Sequence, residues 1–192
     1  GGGDGAVTTQ TYEPKRTGNF VLKSSAVATG GMLPVEFTGD GASISPPLEW
    51  SGAPAGTKSF AVIMHHYDPE GKTKWYWTLY NIPADVSGLP KDVHGVGTLG
   101  NNSVTRRAGY APPHSKGPGE KTYILTAYAL SAPLQISAPP AEVNRDVLLA
   151  AMKEVMLDSA ELKVVYTRSG GSEDGPPRGG AKNGKLKVKG PT

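Results

Sequence analysis

Glycine and proline interrupt this chain so often that long helices are excluded. Of 192 residues, 26 are Gly and 17 are Pro, and each of these either loosens the backbone or removes a hydrogen-bond donor from a regular element. Short strands joined by many turns remain as the natural solution. Hydrophobic residues still make up 37% of the chain. That is enough for one core, so a single domain is expected.

The strongest elements are apolar and β-branched. Residues 59–66 (SFAVIMHH) form a continuous apolar run of strand length, which predicts a buried central strand. Residues 74–82 predict a second strand, with Trp75, Trp77 and Leu79 on one face and Tyr76, Thr78 and Tyr80 on the other. Residues 121–130 predict a third, with Tyr123, Leu125, Ala127 and Ala129 sharing a face. Weaker extended segments are expected around Phe20 and Leu22, over residues 32–37 and 48–50, and from Leu162 to Tyr166. After Pro139-Pro140, Val143, Val147, Ala151 and Val155 recur every four residues beside Leu148, Met152 and Met156. This predicts one helix over 141–157, with Asn144, Arg145, Lys153 and Glu154 on its outer side.

The ends differ from the middle. Residues 1–18 read as a flexible leader, 19–168 as the domain, and 169–192 as a flexible tail rich in Gly, Pro and Lys. The tail holds five basic and two acidic residues. Subtracting these from the totals of 20 and 17 leaves 15 of each sign in residues 1–168. The net charge of +3 therefore belongs to the tail, and the neutral body gives no reason to expect a nucleic-acid partner. There is no Cys, which excludes disulfides and thiol chemistry. No apolar run approaches the roughly 20 residues of a membrane-spanning helix. The Gly-rich start without Met favours a processed, exported chain, periplasmic or secreted, over a cytoplasmic one.

No Gly-x-Ser-x-Gly elbow, Walker loop, His-Glu-x-x-His or dinucleotide fingerprint occurs. A non-enzymatic protein without cofactor or metal is the expectation. Two features carry candidate chemistry. His66 and Asp68, two apart at a strand end, have the spacing to share a face and ligate a metal or act as an acid/base pair, and are better read as the rim of a pocket. Tyr76, flanked by two Trp, has a hydroxyl to offer while the indoles anchor the core. Residues 83–120 are loop-rich and expected to be functional rather than idle. Asn101-Asn102-Ser103 fits a glycosylation acceptor.

A series of short blocks then narrows the reading. It runs through Phe37-Thr38-Gly39-Asp40-Gly41, Ser45-Pro46-Pro47-Leu48-Glu49-Trp50, Tyr67-Asp68-Pro69-Glu70, Trp75-Tyr76-Trp77 and Asn81-Ile82-Pro83-Ala84-Asp85-Val86. Gly109-Tyr110 with Pro112-Pro113, Gly119-Glu120-Lys121-Thr122-Tyr123, Tyr128-Ala129-Leu130 and the closing segment to Tyr166 complete it. In order and spacing this resembles the phosphatidylethanolamine-binding protein family, which includes the Raf kinase inhibitor proteins, and in particular its bacterial and archaeal branch.

The resemblance implies a mostly β fold: a large antiparallel sheet packed on a smaller one, with a helix near the C-terminus. It also implies a small surface pocket for anionic or phospholipid head-group ligands. The family builds that pocket from an Asp-Pro-Asp-x-Pro segment, a strand His and a Gly-x-His-Arg-Tyr segment. Asp68 and Tyr123 keep their family identities, whereas Tyr76 and Lys121 stand where the family has histidines and Thr122 where it has Arg. The implied binding set is Asp68, Tyr76, Lys121 and Tyr123, with His66, Tyr110, Pro112 and Pro113 as rim. Alternatives are an interaction module that inhibits a kinase or protease through loop 83–120, its pocket vestigial, and a hydrolase using His66 and Asp68.

Overall fold

The apolar run beginning at Ser59 does become the central strand of the larger sheet. The computed structural model describes residues 15–67, 70–114 and 118–168. Its strands are β1 (Val21–Lys23), β2 (Leu48–Ser51), β3 (Ser59–Tyr67), β4 (Thr73–Pro83), β5 (Gly88–Leu89), β6 (Thr98–Leu99), β7 (Lys121–Leu130) and β8 (Met156–Tyr166), and one helix, α1 (Arg145–Met152), precedes β8. A five-stranded sheet has the order β6-β4-β3-β7-β8, and a three-stranded sheet the order β1-β2-β5. All pairings between these strands are antiparallel.

Three layers result. Phe60, Val62, Met64, Trp77 and Leu125 of the large sheet meet Leu22, Leu48 and Trp50 of the small one, and Phe20 just before β1, in the main core. On the opposite face Ala61, Ile63, Tyr128 and Leu130 meet Leu148, Leu149 and Met152 of α1. The two-residue alternation along β3 is what lets one strand serve both cores. Mostly β architecture with two antiparallel sheets and one helix near the C-terminus is therefore observed, as expected.

Three local expectations are corrected. Residues 32–37 are not a strand: Met32 makes a single bridge to Val165, and Val35–Phe37 is a 3-10 turn. Pro34, lacking an N–H, interrupts any ladder there. The helix expected over 141–157 is confined to α1. Before it, Pro140–Glu142 is a 3-10 turn and Asn144 is the N-cap, its side chain accepting a hydrogen bond from Val147 N at 2.8 Å. After it, the chain turns at Lys153, and Met156 pairs with Leu130 of β7. The apolar periodicity ran on through that turn into a strand. Arg145, expected outside, is only 4% exposed. Removing the cap with Asn144→Ala is expected to lower stability by about 1 kcal/mol in urea unfolding.

The third correction concerns β4. Met64 pairs with Trp77 but His65 pairs with Trp75, so Tyr76 is an extra residue in a bulge. Trp77 and Tyr76 consequently lie in the same core, not on opposite faces, while Trp75 shares the other face with its partner His65. There the Trp75 indole N–H donates to Asn101 Oδ1 at 3.0 Å, and Asn101 Nδ2 donates to Ala141 O at 3.0 Å. At 8% exposure and with its amide occupied, Asn101 is not presented as a glycosylation acceptor.

Residues 1–14 and 169–192 of the expected leader and tail lie outside the described residues. Residues 15–18 lie along β8, where Thr17 N and Oγ1 donate to the Asp158 carboxylate at 2.9 and 2.5 Å and Arg16 pairs with Glu161 at 2.7 Å.

Candidate functional site

The β4 bulge has a direct consequence for chemistry. It turns Tyr76 toward two other rings at the same end of the sheet, His66 from β3 and Tyr123 from β7. His66 stacks on Tyr123 at 5.2 Å between centroids, Tyr76 meets Tyr123 edge-on at 5.3 Å, and His66 and Tyr76 are 6.1 Å apart. Burial raises the Tyr123 hydroxyl pKa, and the neighbouring Tyr76 and Tyr166 raise it further. It therefore stays protonated throughout the physiological range, as a neutral hydroxyl able to donate. Lys121 pairs in register with Tyr166, so strand alternation puts it on the same face as Tyr123.

A loop closes one side. Ala111 N donates to Tyr76 O at 2.7 Å, which ties residues 110–113 to β4. Tyr110 packs edge-on against Trp77 at 5.5 Å and donates its hydroxyl to Phe37 O at 2.7 Å. Its proton is thus committed to the backbone, and Tyr110 is a wall rather than a ligand donor. Pro113 is buried, with its carbonyl accepting from Gly39 N at 2.8 Å, and Pro112 is half-buried beside it. The structure thus gathers His66, Tyr76, Tyr110, Pro112, Pro113, Lys121 and Tyr123 of the expected set. Asp68, and with it the His66/Asp68 pair, lies outside the described residues.

One cluster beside the tyrosines escaped sequence reasoning. The Asp40 carboxylate accepts the Tyr166 hydroxyl through Oδ2, while Oδ1 lies 3.3 Å from His114 Nε2 and 3.4 Å from Arg168 Nε. Burial and the bond to Asp40 push the Tyr166 hydroxyl up to about 12. Partly exposed pairs of this kind contribute little energy. Their effect is positional, since they join the 38–41 turn, the 110–114 loop and the end of β8 around Tyr123. Gly39 is needed here: a Cβ on it would come within 2.7 Å of the His114 ring. Asp40 reads as a turn residue in sequence, and its partners are 74 to 128 positions away, so no local pattern marks it. Among the described residues no three His, Asp or Glu side chains form a metal site.

Two antiparallel sheets with the His66, Tyr76 and Tyr123 rings gathered at one end of the central strands define a mostly β domain rather than a cofactor-binding α/β fold. The family follows from comparison. The sequence model described as phosphatidylethanolamine-binding protein matches residues 23–167, and the chain belongs to that family. It is 36% identical over 152 residues to a UPF0098 protein of Methanothermobacter thermautotrophicus, covering 77% of this chain and 98% of that one. It is 30% identical over 185 residues to a Mycobacterium tuberculosis protein bearing the name lipoprotein LppC, covering 88% of each. The crystal structure of Escherichia coli YbcL, described as a member of the mammalian PEBP family, matches with a TM-score of 0.71 at 29% identity over 79% of this chain and 99% of that one.

Proposed function

We propose that this chain is a non-enzymatic binding protein that holds a small anionic group of the phosphate or phospholipid head-group class between Tyr76, Lys121, Tyr123 and Asp68. The observation that carries this reading is the convergence of His66, Tyr76 and Tyr123 within about 6 Å of one another at one sheet end. Lys121 supplies a permanent point charge where the family's histidines would titrate near neutral pH. The tyrosine hydroxyls add neutral donors, and Tyr110, Pro112 and Pro113 limit the size of what enters. Export is supported by the lipoprotein name of the mycobacterial relative. No helix among the described residues is long and apolar enough to cross a membrane.

Titration calorimetry with phosphorylethanolamine tests this. The wild type is expected to give saturable heat, and Lys121→Ala is expected to weaken binding by about tenfold, the loss of one charge-assisted contact. Tyr76→Phe keeps the ring packing but removes a hydroxyl that also hydrogen-bonds to Tyr123, so it should weaken binding and lower stability by about 1 kcal/mol. Absence of heat from the wild type would instead favour the family's protein-interaction reading, with loop 83–120 as contact surface.

A further inference from the structure

His65 and His66 are neighbours on β3 and therefore face opposite sides of the sheet. His66 meets the tyrosines, whereas His65 lines a separate cavity of about 140 Å³ together with Arg145, Arg16, Lys163, Glu161 and Tyr128. At about 30 Å³ per water in the liquid, this volume holds a small polyatomic ion with residual waters.

Arg145 is the anomaly. Its side chain is buried, yet the Nε and Nη1 groups have no hydrogen-bond partner within the protein. Asp146, next to it in the chain, attracts it electrostatically but does not satisfy these donors, since the buried Asp146 Oδ1 also has no hydrogen-bond partner. Buried N–H groups are ordinarily satisfied by protein, water or ion, and an uncompensated buried guanidinium is strongly unfavourable. The other charges in the cavity wall add Arg16 and Lys163 against one carboxylate, Glu161, which already pairs with Arg16 at 2.7 Å. His65 contributes no charge: burial first, then Arg145, then His66 lower its pKa to about 3. Its neutral ring leaves Nδ1 buried and unpartnered as well.

We propose that this cavity is a second ligand site, for a small oxyanion of the phosphate type, with the Arg145 guanidinium as its principal donor and Arg16 and Lys163 completing a positive surround. It lies on the helix side of the large sheet, whereas the tyrosine-lined site lies on the side facing the small sheet. An occupant would satisfy the orphaned Arg145 donors and neutralise the surplus positive charge together.

The test is a titration of the full chain with inorganic phosphate, followed by NMR of the arginine Nε–H and histidine ring resonances. Saturable shifts of Arg145 and His65 are expected in the wild type and, undiminished, in Lys121→Ala. Arg145→Met, which keeps the apolar stem, is expected to abolish saturation and to lose the rise in Tm that phosphate gives the wild type. Should that variant fail to fold, Arg16→Ala with Lys163→Ala is expected to raise the apparent Kd by at least about tenfold while preserving the dispersed spectrum. An Arg145 Nε–H resonance unmoved by phosphate, or moved equally by chloride at matched ionic strength, would overturn the proposal.

Discussion

Trp77→Ala is expected to cost about 3–5 kcal/mol, a large part of the 5–15 kcal/mol that holds a typical domain folded. Trp77 is 1% exposed and packs in the main core opposite Met64 on β3. Truncation removes the largest fully buried side chain of that core and leaves a cavity that a sheet, hydrogen-bonded on both edges of β4, has little freedom to close. It also removes the surface on which the Tyr110 ring rests, so the 110–113 wall should loosen and ligand affinity fall with stability. Urea unfolding measures the first effect and calorimetry on the folded fraction the second. A loss below about 1 kcal/mol would mean that the indole does not anchor the main core.

The second large effect is acid destabilisation through His65. Its pKa is about 3 in the folded protein against an ordinary 6.5, because burial, Arg145 and then His66 oppose the imidazolium. Above pH 6.5 both folded and unfolded chains carry a neutral ring, and the stability this contributes is fully present. As pH falls from 6.5 toward 3, the unfolded chain takes up a proton that the folded chain refuses, so stability falls by up to about 1.4 kcal/mol per pH unit. Below the folded pKa the slope ends. Urea midpoints between pH 7 and 5 lie above most carboxylate titration, and His65→Gln, which keeps the other three histidines, should flatten the slope there, so that the difference between the two proteins isolates the effect. The buffer must be free of phosphate, because an anion beside Arg145 would favour the protonated ring and reduce the slope.

These two residues also show how far the sequence can be read. The strands at 59–66, 74–82 and 121–130 were legible because apolar and β-branched runs of that length have few alternatives to burial in a sheet. Tyr123, Leu125, Ala127 and Ala129 share a core as their alternation requires. Strict alternation fails across the bulge: one extra position at Tyr76 sets Trp75 and Trp77 on opposite faces. The helix ends early for a related reason, since Val155 and Met156 continue an apolar stripe, but Met156 pairs with Leu130 of β7 and Val155 O accepts from Ser131 N instead of extending the helix. Arg145 has the local pattern of a solvated charge, because nothing near it in the chain reveals that it is buried against the large sheet.

The site was legible in part for the same physical reasons. Tyr76, Lys121 and Tyr123 come from strong strands, so their positions follow once the strands are assigned. Asp40, His114 and Arg168 come from a turn, a loop and the segment just after β8, and only the tertiary fold brings them together. Tyr110 illustrates a different limit: its nearness to the site was legible, but not the donation of its hydroxyl to Phe37 O.

On the proposed function, Lys121 and the tyrosines hold an anion rather than fill the site themselves. A crystal structure of the full chain soaked with phosphorylethanolamine decides it most directly. The expected result is density for the phosphate group within hydrogen-bond distance of Lys121 Nζ and of the Tyr76 or Tyr123 hydroxyl. The contradicting result is Lys121 Nζ paired with the Asp68 carboxylate across the site, with no ligand density between them.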